Sequence, residues 1–172
     1  MTNTTNNEVM VNTQTGEIVE AKKVIRENEN YIVVQDANGK FARKAKFKEY
    51  SSFKPKDREE KIWLLQVMEG DEDSGFGLKD HVGSEIVVQN IITRTYDRIN
   101  EDNGETEYGV LTYLITPEKK VFVTSSKTVY FSITRIMDLF GTPDSDDWVN
   151  IKIKVGKEKG QQGDIIKIKM IG

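Results

Sequence analysis

The chain has 172 residues, 37% apolar and 31% charged, with a net charge of −3; this describes a polar, soluble protein able to bury about 70% of its unfolded surface and not a strongly basic duplex-binding domain. Cysteine is absent, which excludes disulfides, zinc ribbons and thiol catalysis and suits a reducing cytoplasm. No run approaches the ~18 apolar residues of a membrane-spanning helix, and Met1–Glu20 has neither the basic nor the apolar region of a secretory signal.

Residues 1–10 are rich in Thr and Asn and are expected to be a disordered terminus. Residues 11–82 are expected to form an extension ahead of the main domain. Short strands and turns fill its first part. A β-hairpin centred on Asn38-Gly39 is expected there, with Tyr31-Ile32-Val33-Val34 as one arm and the basic Lys40–Phe47 as the other. A helix follows Pro55 over Asp57–Glu69. Ile62, Leu65 and Met68 share its apolar stripe, with Trp63 and Val67 beside it. Asp57, Glu59 and Glu60 lie in the first turn, where the helix dipole favours acids, and Gly70 stops the helix. Asp71–Gly83 is expected to be a loop.

Residues 83–172 are expected to be the main domain, with the order strand, strand, strand, helix, strand, strand. The first strand, Glu85–Arg98, alternates at Ile86 and Val88 and shifts phase at Ile91-Ile92, the mark of a bulge that lets one strand serve two sides of a barrel. Asn103-Gly104 marks the next turn. The second strand, Tyr108–Thr116, sets Val110, Thr112 and Leu114 on one face and Leu111, Tyr113 and Ile115 on the other. Val121–Thr124 is the third strand. Ser125 or Ser126 caps a helix whose stripe is Val129, Ile133, Ile136, Met137 and Phe140, ended by Gly141 and Pro143. The fourth strand, Trp148–Val155, points Val149, Ile151, Ile153 and Val155 inward and Lys152 and Lys154 outward. Gly156–Gly163 is expected to be a flexible loop. The fifth strand, Asp164–Ile171, repeats the scheme with Lys167 and Lys169 outward. This is the order of a five-stranded OB-fold, a mainly β Greek-key barrel with a helix between its third and fourth strands.

No catalytic constellation accompanies these elements. His81 has no second His or Cys to share a metal with. Gly75-Phe76-Gly77 lacks the Lys-Ser/Thr of a phosphate loop, and Asp144, Asp146 and Asp147 lack the spacing of a calcium loop. An enzyme is not expected, nor a cofactor or a metal. What the strands do carry is cations and flat rings. Lys152, Lys154, Lys167 and Lys169 take outward positions on two neighbouring strands. Arg94 and Arg98 flank Tyr96 at one parity, and Tyr108, Tyr113 and Phe122 lie on the second and third strands. Single-stranded nucleic acid needs both features, cations along the phosphates and rings for the bases. Tyr113 and Phe122 also suit a core, and alternating lysines also guard an exposed strand against pairing.

The segments Tyr50-Ser51-Ser52-Phe53, Leu78–Gly83, Val123–Tyr130, Phe140-Gly141 and the closing lysine-rich strands, in that order, resemble the single-stranded DNA-binding proteins of bacteriophages and mobile elements of Gram-positive bacteria. The resemblance covers residues 50–170. It implies an OB-fold and a protein that coats exposed DNA, as a homo-oligomer or cooperatively. It also implies work beside replication or recombination proteins of a phage or plasmid, in the cytoplasm of the bacterial host. Housekeeping relatives end in an acidic recruiting tail, whereas this sequence ends Lys169-Met170-Ile171-Gly172. RNA, or a protein partner on the same face, stays open as an alternative ligand.

Overall fold

The computed structural model describes residues 7–11, 18–27, 31–35, 39, 41–70, 75–99, 104, 106–145, 148, 150–160 and 163–172. They form two compact units, residues 1–47 and 48–172. Both are mainly β, and the second carries two α-helices. The second unit begins well ahead of Gly83.

The first unit is a four-stranded antiparallel meander of β1 (Asn7–Val11), β2 (Ile18–Glu27), β3 (Tyr31–Gln35) and β4 (Phe41–Ala45). The expected hairpin is β3–β4, paired from Tyr31↔Ala45 to Gln35↔Phe41. Gly39 takes the left-handed φ of 80° its turn requires. Residues 7–10 do not follow the expectation of disorder: they pair with the long β2, which gives their backbone groups partners. Residues 1–6 lie outside the described residues.

In the second unit, β5 (Tyr50–Ser51) leads into α1 (Arg58–Glu69). Asp57 caps α1 by accepting from the Glu60 N–H at 2.8 Å, and Gly70 ends it at φ 78°. The stripe expected at Ile62, Leu65 and Met68 is displaced. Trp63, Leu64 and Val67 face inward, while Ile62 and Leu65 are exposed. The reason is the surface beneath, where Ile92, Tyr113, Ile115 and Val121 receive that neighbouring face.

After β6 (Phe76–Gly77) and a 3₁₀ turn (Leu78–His81), the first long strand appears as β7 (Glu85–Val88) and β8 (Asn90–Ile99), broken at Gln89. The phase shift therefore marks the place where the chain leaves one sheet for another. Next come β9 (Thr106–Ile115), β10 (Val121–Thr124), α2 (Lys127–Phe140), β11 (Ile151–Gly160) and β12 (Gly163–Ile171). One sheet has the order β5-β8-β9-β10-β6, the other β12-β11-β7. Among the described residues β10 pairs with β9 and β6 and not with β12, so neither sheet closes on itself.

Ser126, not Ser125, caps α2. Its Oγ accepts from the Val129 N–H and donates to the Ile166 carbonyl at 2.8 Å, tying the helix start to β12. Phe140, expected in the buried stripe, is half-exposed. The fourth strand starts at Ile151 instead of Trp148, and Val149 lies outside the described residues. Of the loop expected over Gly156–Gly163, residues 156–160 and Gly163 are strand instead, and residues 161–162 lie outside the described residues. β11 and β12 stay paired to Gly160↔Gly163, stitched by ion pairs Lys157–Asp164 (2.9 Å) and Lys167–Glu158. The main core lies between the sheets under α2, with Leu78, Val88, Ile91, Leu114, Val129, Ile133 and Ile153 fully buried.

Candidate nucleic-acid interface

β11 buries Ile151, Ile153 and Val155, so strict alternation forces Lys152 and Lys154 to the exposed side. The register then sets Lys154 opposite Lys169, Gly156 opposite Lys167 and Lys152 opposite Ile171. Partners across a ladder share a face, so the four predicted lysines stand together on one side of the three-stranded sheet. Val87 and Glu85 of β7 continue that face.

The lysines differ in their partners. Lys152 is paired with Glu85, whose carboxyl is held below its usual range first by that hydrogen bond and then by the lysine's charge. Lys167 is paired with Glu158. Among the described residues no carboxylate pairs with Lys154 or Lys169. Like charges directly opposite each other in a sheet are destabilising. Glu85, ion-paired with Lys152, also stands across the ladder from Lys154, whose charge helps lower its carboxyl, so the cations on this face are only partly balanced.

Arg94 and Tyr96 stand together elsewhere, on one face of the five-stranded sheet with Gly109 and Leu111. The Tyr96 ring lies across Gly109, so close that a Cβ there would fall 2.2 Å from the Tyr96 Cζ. Arg94 reaches Glu49 at 3.2 Å. Glu49 also accepts from the Thr95 N–H, and that bond chiefly holds its carboxyl below the usual range. Arg98 continues the same strand parity, opposite Glu107 in register, but its side chain lies outside the described residues.

Tyr108 is 54% exposed but projects from the opposite face of the β8–β9 hairpin to Tyr96. Tyr113 is 4% exposed and packs under α1; burial raises its hydroxyl pKa. Phe122 is 8% exposed and belongs to the main core. Both are therefore core residues in this structure, the role the sequence had also left open, and neither ring is offered to solvent.

Two residues escaped the sequence reasoning. Phe76, 49% exposed, stands on the edge strand β6 and continues an aromatic cluster with His81 and Phe122, with ring centroids 5.7 and 6.0 Å away. An apolar ring flanked by two glycines was the available signal. Gly109 was legible only as a glycine inside a strand, which marks a close approach. Among the described residues there is no cluster of His, Cys, Asp or Glu that could hold a metal, and no helix long and apolar enough to cross a membrane.

One sheet face gathers four lysines, two of them outside any ion pair among the described residues, and another sets an arginine beside a ring; cations and rings together suit a flexible polyanion that carries flat groups. The comparisons agree with that class. Residues 42–170 match the profile of a family described as Phage Single-stranded DNA-binding protein, of the Phi29 type. A single-stranded DNA-binding protein of Bacillus phage GA-1 is 35% identical over 158 residues, 91% of this chain and 92% of that protein. No solved structure matches. The chain belongs to the phage single-stranded DNA-binding protein family, a family of binding proteins and not of enzymes.

Proposed function

We propose that the protein coats single-stranded DNA exposed during phage replication, holding phosphates on Lys152, Lys154, Lys167 and Lys169 and on Arg94 and Arg98, and stacking bases on Tyr96 and Tyr108. The observation that carries this assignment is the Lys154–Lys169 pair, opposed across the ladder with neither lysine in an ion pair among the described residues. An attached phosphate would relieve its repulsion, and the spread of cations and rings over more than one face suits a strand that wraps the domain.

The second unit is, on this proposal, an OB-type barrel. Support comes from the element order and from one strand, residues 85–99, feeding both sheets. The side between β10 and β12 is left as a groove of about 620 Å³ lined in part by Lys79 and Lys127. Residues 83–172 supply the interface, and residues 48–82 brace it through α1. The protein would act in the host cytoplasm, self-associating along the strand, beside replication or recombination proteins.

A mobility-shift competition among oligo(dT), its duplex and the matching RNA tests the polymer preference. The single DNA strand is expected to outcompete the duplex at every salt concentration. Equal binding to duplex would refute the stacking half of the proposal, and stronger binding to RNA would reassign the ligand.

A further inference from the structure

A pocket of about 450 Å³ opens at the end of the second unit where β5, α1 and the β9–β10 turn meet the approach to β11. This volume lies in the range of small-molecule sites. Its lining combines the groups a nucleotide needs. Lys54, Lys56 and Lys119 supply cations, Phe53 and Trp148 supply rings, and Asn90 supplies a carboxamide.

Three lysines of the lining meet one lining carboxylate, Glu60, so the charges are only partly balanced there. Glu60, the carboxylate of the lining, is engaged twice, by the Lys119 ammonium at 2.8 Å and the Lys56 backbone N–H at 2.7 Å. Those bonds hold its carboxyl below the usual range, the Lys119 bond first. Lys54 and Lys56 are exposed, and Lys54 lies near enough to Asp144 for its charge to help lower that carboxyl.

Two further observations converge on the same place. Lys119 adopts φ 60°, the one non-glycine positive φ among the described residues. A lysine in a position that suits glycine stores backbone strain, and strain of this kind collects at functional sites. Trp148 keeps its indole N–H buried without an acceptor among the described residues. Such orphan donors are uncommon in folded proteins. An acceptor on a bound base, met by a small swing of the ring, would supply the missing partner.

We propose that this pocket holds one nucleotide of the bound strand, with its phosphate on Lys54 and Lys56 and its base against Phe53 and Trp148. The proposal rests on the single-strand assignment above and adds a site that neither sheet face contains. It implies that the DNA path runs past the β9–β10 turn.

The test uses the full chain carrying Trp63→Phe, so that Trp148 alone reports, titrated with oligo(dT) in parallel by mobility shift and by fluorescence. Saturating DNA is expected to quench Trp148. The Lys54→Ala/Lys56→Ala variant is expected to lose that quenching and to bind with a log K versus log salt slope shallower by about 1.4, two single-strand phosphate contacts. Photocrosslinking of the unmutated protein to oligomers containing 5-iododeoxyuridine is an independent check and should yield adducts at Phe53 or Trp148. If the DNA shifts but Trp148 stays unquenched, adducts map only to other residues and the lysine variant binds unchanged, the pocket proposal is overturned while the single-strand assignment stands. If no oligomer shifts at all, both fall.

Discussion

Lys154 of β11 and Lys169 of β12 face each other directly across the ladder, and no carboxylate among the described residues pairs with either. Their neighbours Lys152 and Lys167 each hold a partner, Glu85 and Glu158. One face therefore contains lysines that are ion-paired within the fold and lysines that are not, with Glu85 opposite Lys154 balancing part of the charge.

Replacing Lys154 and Lys169 by alanine is expected to separate stability from binding. Folding stability should change by less than about 1 kcal/mol, because the relieved cross-strand repulsion is offset by the lost attraction between Lys154 and Glu85. DNA affinity should fall, and the salt slope should shrink by about 1.4. Chemical denaturation and oligo(dT) titration of one preparation check both expectations. Lys152→Ala should affect binding less, because its charge is already shared with Glu85.

The Tyr96 ring depends on Gly109. Tyr96→Ala is expected to weaken binding by about 1–3 kcal/mol, the usual worth of one stacked base. Gly109→Ala should reproduce much of that loss without touching the tyrosine, since a Cβ would fall inside the ring. Equilibrium titration of the two variants, with circular dichroism to show retained folding, measures the comparison.

Tyr50 donates to Asp144 at 2.7 Å and fastens β5 to the segment after α2. Burial first, and that hydrogen bond second, push its hydroxyl from 10.0 to about 12. The folded state thus keeps a proton that the unfolded chain gives up. This contribution is fully present below pH 10 and is lost as pH climbs toward 12. Asp144, held below 3.8 chiefly by the same bond, contributes with the opposite sense: its share is present above that value and is lost as pH falls. Tyr50→Phe should flatten the alkaline fall in a melting-temperature profile and soften the acid one.

Ser126→Ala removes both the α2 cap and the tie to the Ile166 carbonyl. A loss of about 1 kcal/mol is expected for the cap, with more if the buried carbonyl stays unpaired. Denaturant unfolding checks it. DNA affinity measured well below the melting temperature should not change, because the serine faces the fold and not the proposed strand.

The strand and helix order of the second unit was legible because its periods are clean. The alternation of Ile151, Ile153 and Val155 against Lys152 and Lys154 specifies one face for the lysines whatever the tertiary context. The phase shift read at Ile91-Ile92 signalled a discontinuity, which falls two residues earlier, at Gln89. What local patterns could not supply was partnership. The inward face of α1 was chosen by Ile92, Tyr113 and Val121, which lie far away in sequence, so the expected stripe was off by about one position. For the same reason Tyr113 and Phe122 looked available while α1 and the main core were covering them. Gly156–Gly163 looked like a loop because its glycines and charges mimic one, yet Glu158 and Asp164 meet lysines across the ladder. Tyr96 and Tyr108 were counted together although Tyr96 stands opposite Gly109, and that offset of one residue puts the two rings on opposite sides of the sheet.

The most direct measurement is the affinity of the purified protein for a thymidine oligomer over a salt series begun in dilute buffer. Tight binding is expected at low salt, with an affinity that falls linearly in log salt and a slope that shrinks in the Lys154→Ala/Lys169→Ala variant. Failure to bind the oligomer in dilute buffer, or binding that ignores both salt and the two lysines, would contradict the account.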